Sequence, residues 1–193
     1  MSFLDTEFER LYRYVQRGAT GTGRHVMACA IVQRAVGGSD YSAYLKRTQR
    51  YAEEEEDILS AWESVEHTIS RAWQARQNAY APYSNFRVGA AVLDENGNIA
   101  VGANVENSSY GLTLCAERAA LAAAQVSSLG TILFVCIVAD TPEPISPCGG
   151  CRQWIIELAP FAIVGMLTPA GPERWCTAEE LLPFAFGGDV FRC

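Results

Sequence analysis

The sequence predicts an α/β fold of three layers, with helices on both faces of a mixed central sheet. Three observations carry this expectation. Thr131 to Ala139 and Phe161 to Leu167 are apolar runs without polar alternation, as in strands covered on both faces. Leu114 to Val126, rich in alanine, and Cys148 to Leu158 read as helices placed before those strands. Phe86 to Leu93 and Ile99 to Val105 flank Asn96-Gly97, the preferred pair for a type I′ turn, so an antiparallel hairpin joins the sheet. Helices alternating with continuous apolar strands imply a sheet sandwiched between them.

Taken from the N-terminus, residues 1–52 hold two short apolar stretches, Phe8 to Val15 and Val26 to Val36, separated by a Gly/Thr-rich joint at 18–23. Two short helices fit this pattern. Gly21-Thr22-Gly23-Arg24 lacks both a preceding strand and the full phosphate-binding pattern, so it reads as a turn. A transit peptide would suit the arginine excess but not Asp5, Glu7 and Glu9. From Glu53 the signals sharpen. Ile58, Trp62, Val65, Ile69 and Ala72 recur at steps of four and three, one face of an amphipathic helix whose first turn carries the acids Glu53 to Asp57. Pro82 ends the run before the hairpin begins. Near the C-terminus Thr177 and Glu180 form the pattern of a capping box opening a short helix. The expected organisation is an extension over 1–55, partly helical and of open role, and a main domain over 56–193.

Composition narrows the function classes. The chain has 193 residues, 49% of them apolar and 19% charged, and no apolar run approaches the roughly 20 residues a membrane span requires. Charge is uneven: eight Lys/Arg against four Asp/Glu in residues 1–52, then seven against eighteen in the remainder. The acidic body repels phosphate backbones, which disfavours long nucleic acid and suits a small uncharged substrate. Seven cysteines without a secretory signal argue for a reducing, cytoplasmic setting where thiols act as ligands or core residues.

Two motifs carry chemistry. Cys115-Ala116-Glu117-Arg118 and Pro147-Cys148-Gly149-Gly150-Cys151-Arg152-Gln153 open the two central helices. A catalytic zinc needs three protein ligands and one position left for water, and a CxxC pair plus one remote cysteine supplies that count. Helix N-termini lower cysteine pKa and favour the thiolate. A CxxC alone could equally be a redox pair or half of a structural site. A redox site has no use for Cys115 followed by Glu117, and a structural site needs a fourth ligand, which neither His25 nor His67 supplies at ligand-like spacing. Glu117 discriminates, because a carboxylate beside an activated water can take its proton and later return it. That is the chemistry of zinc deaminases, including those with three cysteine ligands and a non-ligand glutamate. Three thiolates and a hydroxide outweigh a dication, so a cation is required nearby, and Arg118 and Arg152 are the candidates for bonding the sulfurs.

These motifs, together with Ala79 to Ala91 (AYAPYSNFRVGAA), Asn104-Val105-Glu106-Asn107 and Leu181 to Gly187 (LLPFAFG), strongly resemble the small homotetrameric cytidine deaminases. All five occur in family order, and the resemblance covers about residues 60–190. It implies that Cys115, Cys148 and Cys151 bind zinc, that Glu117 shuttles protons, and that Asn104 and Glu106 hold the ribose. It further implies that Phe86 stacks on the pyrimidine, that Tyr110 lines the pocket, that backbone groups of Ala116 meet the base edge, and that Phe186 reaches across a subunit boundary. The implied reaction is deamination of cytidine and deoxycytidine in pyrimidine salvage, by a homotetramer with shared sites. By periodicity alone Phe86 is an ordinary core residue. Cys29, Cys136, Cys176 and Cys193 match no ligand position, and Cys136 reads as a small core residue. Three other readings stay open: an aminonucleoside-antibiotic deaminase of the blasticidin type, a nucleic-acid-binding deaminase fold using segment 1–52, and a structural zinc scaffold.

Overall fold

A computed structural model describes residues 3–18, 22–37, 55–171 and 173–187. Helices α1 (Phe3–Val15), α2 (Thr22–Gly37) and α3 (Glu55–Gln77) come first. Strands β1 (Val88–Asp94) and β2 (Ile99–Ala103) form the hairpin, and helix α4 (Ala116–Val126) leads into strand β3 (Ile132–Ala139). Helix α5 (Gly149–Leu158), strands β4 (Ile163–Leu167) and β5 (Glu173–Thr177), and the short helix α6 (Ala178–Leu181) complete the chain.

The sheet runs β2-β1-β3-β4-β5. Only β3 and β4 are parallel among these pairs, and α5 is the crossover between them. The remaining pairs are antiparallel, so the sheet is mixed as expected. The fully buried patterns of β1, β3 and β4 explain their unbroken apolar runs. Alternate residues serve opposite faces. Ala91, Leu93, Cys136 and Val138 join a core with α1, α2 and α3, whereas Ala90, Val92, Val135 and Ile137 join one with α4 and α5.

Besides Thr22 to Arg24, which open helix α2 where a turn is expected, two expectations are corrected by this architecture. The hairpin is not a two-residue type I′ turn: Gly97 is left-handed at φ 86°, but Asn96 is absent from the left-handed residues. Gly97 N donates to Asp94 O at 3.2 Å and Asp94 N to Asn98 O at 3.0 Å, a type I turn followed by a glycine bulge. The buried Asp94 carboxylate selects it by accepting from the backbone N–H groups of Asn96, Asn98 and Gly130 at 2.8 to 2.9 Å. The second correction is strand β5, an edge strand beyond β4 that the sequence reading omitted. Its Trp175 stacks on Phe134 with ring centroids 5.4 Å apart.

The first two helices are integral to the packing. Phe8, Leu11, Tyr12 and Val15 of α1 and the Val26 to Val32 run of α2 are buried in one core with α3 and the sheet. Arg34 of α2 pairs with Glu66 of α3 at 2.9 Å and with Glu173 of β5 at 2.7 Å. Tyr14 donates to Pro160 O at 2.5 Å, while Arg10 and Arg17 pair with Glu180 and Glu179 of α6 at 2.8 and 3.0 Å. The capping box is present: Thr177 Oγ1 accepts from Glu180 N at 3.1 Å and the Glu180 carboxylate from Thr177 N at 2.8 Å. The side chains of Ile58 and His25, and all of Cys193, lie outside the described residues. Among the described residues, no helix is long and apolar enough to cross a membrane.

On the opposite face, α4 lies directly on β2. A Cβ at Gly102 would fall 2.4 Å from Ala116 O and 2.3 Å from Ala120 N, so only a glycine permits this approach.

Candidate functional site

Register decides what converges. Val88 pairs with Ala139, and Gly89 with Ala103, so the start of β1 and the ends of β2 and β3 share one edge of the sheet. From that edge the chain leads back to Phe86, onward from β2 to Asn104 and α4, and onward from β3 to α5. Cys115 is the N-cap of α4 and Cys148 the N-cap of α5. Both helices therefore begin together, although their cysteines are 33 positions apart.

Cys115 Sγ lies 3.9 Å from Cys148 Sγ, which lies 3.4 Å from Cys151 Sγ, and all three sulfurs are within 4.8 Å of one another. Zinc–sulfur bonds of about 2.3 Å in a tetrahedron place sulfurs about 3.8 Å apart, so the donor set fits such an ion. The soft thiolates and the count of three fit as well. Of Cys115 and Cys151, Cys115 ionises first. A hydrogen bond from Cys151, then the Arg118 guanidinium and Cys148, bring its thiol down to about 5 against opposing burial. Donating to Cys115 and being buried push the Cys151 thiol up. The two directions describe one negative charge held mainly on Cys115.

Glu117, in the first turn of α4, is 5% exposed. Burial raises its carboxyl above the ordinary value, opposed by its own backbone N–H, and the Cys115 charge adds to the rise. It lines a cavity of about 190 Å³ together with Phe86, Asn104, Cys115, Ala116 and Cys148. Thr113, Ile145, Ser146 and Val88 complete the described walls, among which Glu117 is the sole carboxylate.

The two arginines behave differently. Arg118 Nη2 donates to Cys115 Sγ at 3.7 Å and to Thr113 O at 2.8 Å, a cation against the sulfur cluster. Arg152 donates instead to Pro147 O at 2.9 Å, Ser146 Oγ at 2.8 Å and Leu181 O at 3.3 Å. It braces the loop that carries Cys148 and bonds no sulfur, contrary to the shared role expected of the pair.

Asn104 is buried and holds the β1 entrance: Oδ1 accepts from Val88 N and Nδ2 donates to Phe86 O, each at 2.8 Å. One amide hydrogen and one lone pair stay available toward the cavity. Glu106 accepts from Tyr83 N at 2.9 Å and Ser84 N at 3.2 Å through Oε2, and from the Ser84 hydroxyl through Oε1. The Ser84 hydroxyl, then the backbone amides, lower the carboxyl of this solvent-facing group. Phe86 is 42% exposed, a wall of the cavity and not the core residue that periodicity alone suggested. Glu106, Tyr110 and Phe186 are not among the described walls. Tyr110 packs edge-on to Tyr83 at 6.3 Å, and Phe186, also exposed, receives a bond on its carbonyl from Gln153 at 2.8 Å. Ser84, Thr113, Ile145 and Ser146 are site residues that received no separate role from the sequence. Ser84 alone had a signal, lying inside the AYAPYSNF stretch.

Residues 62–166 match the family model for the cytidine and deoxycytidylate deaminase zinc-binding region. The chain is 48% identical over 121 residues to a cytidine deaminase of Halalkalibacterium halodurans, covering 61% of this chain and 90% of that one. A cytidine deaminase of Mycobacterium tuberculosis is 43% identical over 118 residues, 61% of this chain and 86% of its own. Among solved structures, a cytidine deaminase from Burkholderia pseudomallei superposes with a TM-score of 0.60 at 45% identity, over 63% of this chain and 98% of that one.

Proposed function

This chain belongs to the cytidine and deoxycytidylate deaminase family, and from that premise we propose that it hydrolyses both cytidine and deoxycytidine, releasing ammonia, as a step of pyrimidine salvage. It is a hydrolytic deaminase with zinc as its cofactor. Cys115, Cys148 and Cys151 would hold the ion, which when bound supplies Lewis-acid activation of water. The single observation that carries the reading is the buried Glu117 carboxylate in one cavity with Cys115 and Cys148, two members of the three-sulfur cluster, and an aromatic wall.

The chain's own residues then have separable tasks. Glu117 takes the proton of the attacking water, delivers it to N3 of the base and passes a proton to the departing amine; its raised carboxyl suits a group that must both accept and return. Phe86 stacks on the pyrimidine, and backbone groups of Ala116 meet its edge. Asn104 and Glu106 receive the sugar hydroxyls with their unused bonding capacity, a contact that penalises any substrate lacking them. Arg118 offsets the thiolate charge.

Four aromatic or large apolar groups, Tyr110, Leu112, Phe184 and Phe186, are strongly exposed. Such exposure fits a homotetramer in which Tyr110 and Phe186 complete a neighbouring site. We read residues 56–193 as the catalytic domain and residues 1–55 as an extension, of which the described helices α1 and α2 pack against it. Six free cysteines among the described residues suit a reducing cytoplasm. The test is ammonia release from cytidine, deoxycytidine and their monophosphates by zinc-quantified protein. Comparable turnover of the two nucleosides with little of the charged monophosphates is expected. Turnover of a monophosphate or a blasticidin-type nucleoside in preference to both would refute the assignment.

A further inference from the structure

The bonding capacity of Glu106 is almost used up before any substrate arrives. A carboxylate offers about four lone-pair directions. Oε2 takes two backbone N–H groups, those of Tyr83 at 2.9 Å and Ser84 at 3.2 Å, and Oε1 takes the Ser84 hydroxyl. One direction is left, on Oε1 and beside the serine. The same Ser84 oxygen accepts from Phe86 N at 3.0 Å. Between the two residues Asn85 is left-handed at φ 57°, a conformation open to asparagine that folds the chain back so that both contacts close. On its far side Phe86 is fixed by Asn104, whose amide donates to Phe86 O at 2.8 Å. Asn104 is bound in turn through its neighbours, since Glu106 N donates to Tyr80 O at 2.8 Å and Tyr80 N to Asn104 O at 2.9 Å.

We propose that Ser84 is a positioning residue for the sugar: its hydroxyl sets the Glu106 carboxylate in register with the Phe86 ring, so that one substrate is gripped at sugar and base together. This rests on reading Glu106 as the acceptor of a sugar hydroxyl and Phe86 as the stacking ring. The donated proton occupies one side of Oε1 and leaves a single direction for a substrate hydroxyl, which converts a rotatable carboxylate into a directional acceptor. Without it, Oε1 turns to water, while Phe86 stays anchored through its carbonyl by Asn104. Where a sugar contact is made equally in the bound substrate and at the transition state, its loss appears in KM and spares kcat.

The experiment compares Ser84→Ala, Ser84→Thr and Glu106→Gln in the full zinc-loaded protein. Each is measured for cytidine KM and kcat and for competitive inhibition by 1-methylcytosine, which has the base and no sugar. Zinc content and unfolding midpoint are recorded alongside. In Ser84→Ala the cytidine KM rises about tenfold, the size of one charge-assisted bond weakened. Its kcat stays within about twofold, 1-methylcytosine inhibits as it does the parent, and Ser84→Thr, which keeps the hydroxyl, restores most of the KM. If Glu106→Gln raises the cytidine KM but Ser84→Ala does not, the proposal is overturned while the sugar reading of Glu106 stands. An equal loss for cytidine and 1-methylcytosine in Ser84→Ala also overturns it, because the hydroxyl would then serve only the ring. A Glu106→Gln protein with unchanged cytidine KM instead removes the sugar reading on which the proposal rests.

Discussion

Replacing Glu117 by Gln keeps the shape of a buried side chain and removes its ability to carry a proton. The cavity offers no second carboxylate among its described walls, and the hydroxyls of Thr113 and Ser146 are far weaker bases. One positioned acid–base group contributes roughly 10² to 10⁴ in rate, and the role proposed for Glu117 has it serve several transfers in one turnover, so the loss is set at the upper end, about 10⁴ in kcat. At 1.36 kcal/mol per decade that is about 5.4 kcal/mol of barrier. Zinc content stays at the parent level, because Glu117 is not one of the three sulfurs. Stability responds in a defined direction. Burial raises the folded carboxyl above its unfolded value, so its contribution is present at low pH and lost as pH rises through the folded value. In metal-free protein the Gln variant therefore unfolds at the same or a higher temperature than the parent at neutral pH, and the difference closes on acidification. The assays are ammonia release, metal analysis and thermal unfolding on one preparation. Turnover within tenfold of the parent at equal zinc would refute the role given to Glu117.

Cys148→Ala removes one of the three sulfurs; bound zinc falls below about a tenth of an equivalent after brief chelator exposure that the parent survives, and the unfolding midpoint drops with it, as metal analysis and calorimetry would register. Ile31→Ala, in the fully buried stretch of α2, costs about 2–5 kcal/mol and lowers the midpoint of the whole cooperative transition by roughly 5–15 °C. An unchanged main transition would mean that α1 and α2 unfold separately from the sheet. Phe186→Ala raises the cytidine KM severalfold with kcat less affected, and light scattering reports whether the parent is an oligomer; a fully active monomer would contradict the shared site.

The convergence of the three sulfurs with a buried Glu117 was legible because it depends on local spacing: CxxC at a helix start and Cys-Ala-Glu at another each fix a face by themselves. The layered fold was legible because β1, β3 and β4 are buried on both sides and cannot hide their composition. Strand β5 was missed since Glu173-Arg174-Trp175-Cys176-Thr177 is a mostly exposed edge, whose pairing with β4 carries no apolar run. The type I′ assignment failed because the Asp94 carboxylate, not the Asn-Gly pair, determines the turn. The packing of α1 and α2 was invisible for a different reason: their partners, Pro160, Glu173, Glu179 and Glu180, lie more than a hundred positions away. Arg152 shows the limit of adjacency, since sitting next to a ligand does not determine which way a guanidinium points.

The bare backbone at Gly102 has a reach beyond the strand that contains it. Its missing methyl group fixes how deep α4 settles, and the first turn of that helix carries Cys115, Ala116 and Glu117. Adding one carbon there would lift the whole turn, misaligning a sulfur and the proton carrier at once without altering any reactive group. A scan of all single substitutions should therefore reveal a forbidden position that itself contributes no group to the cavity, as severe as the three cysteines.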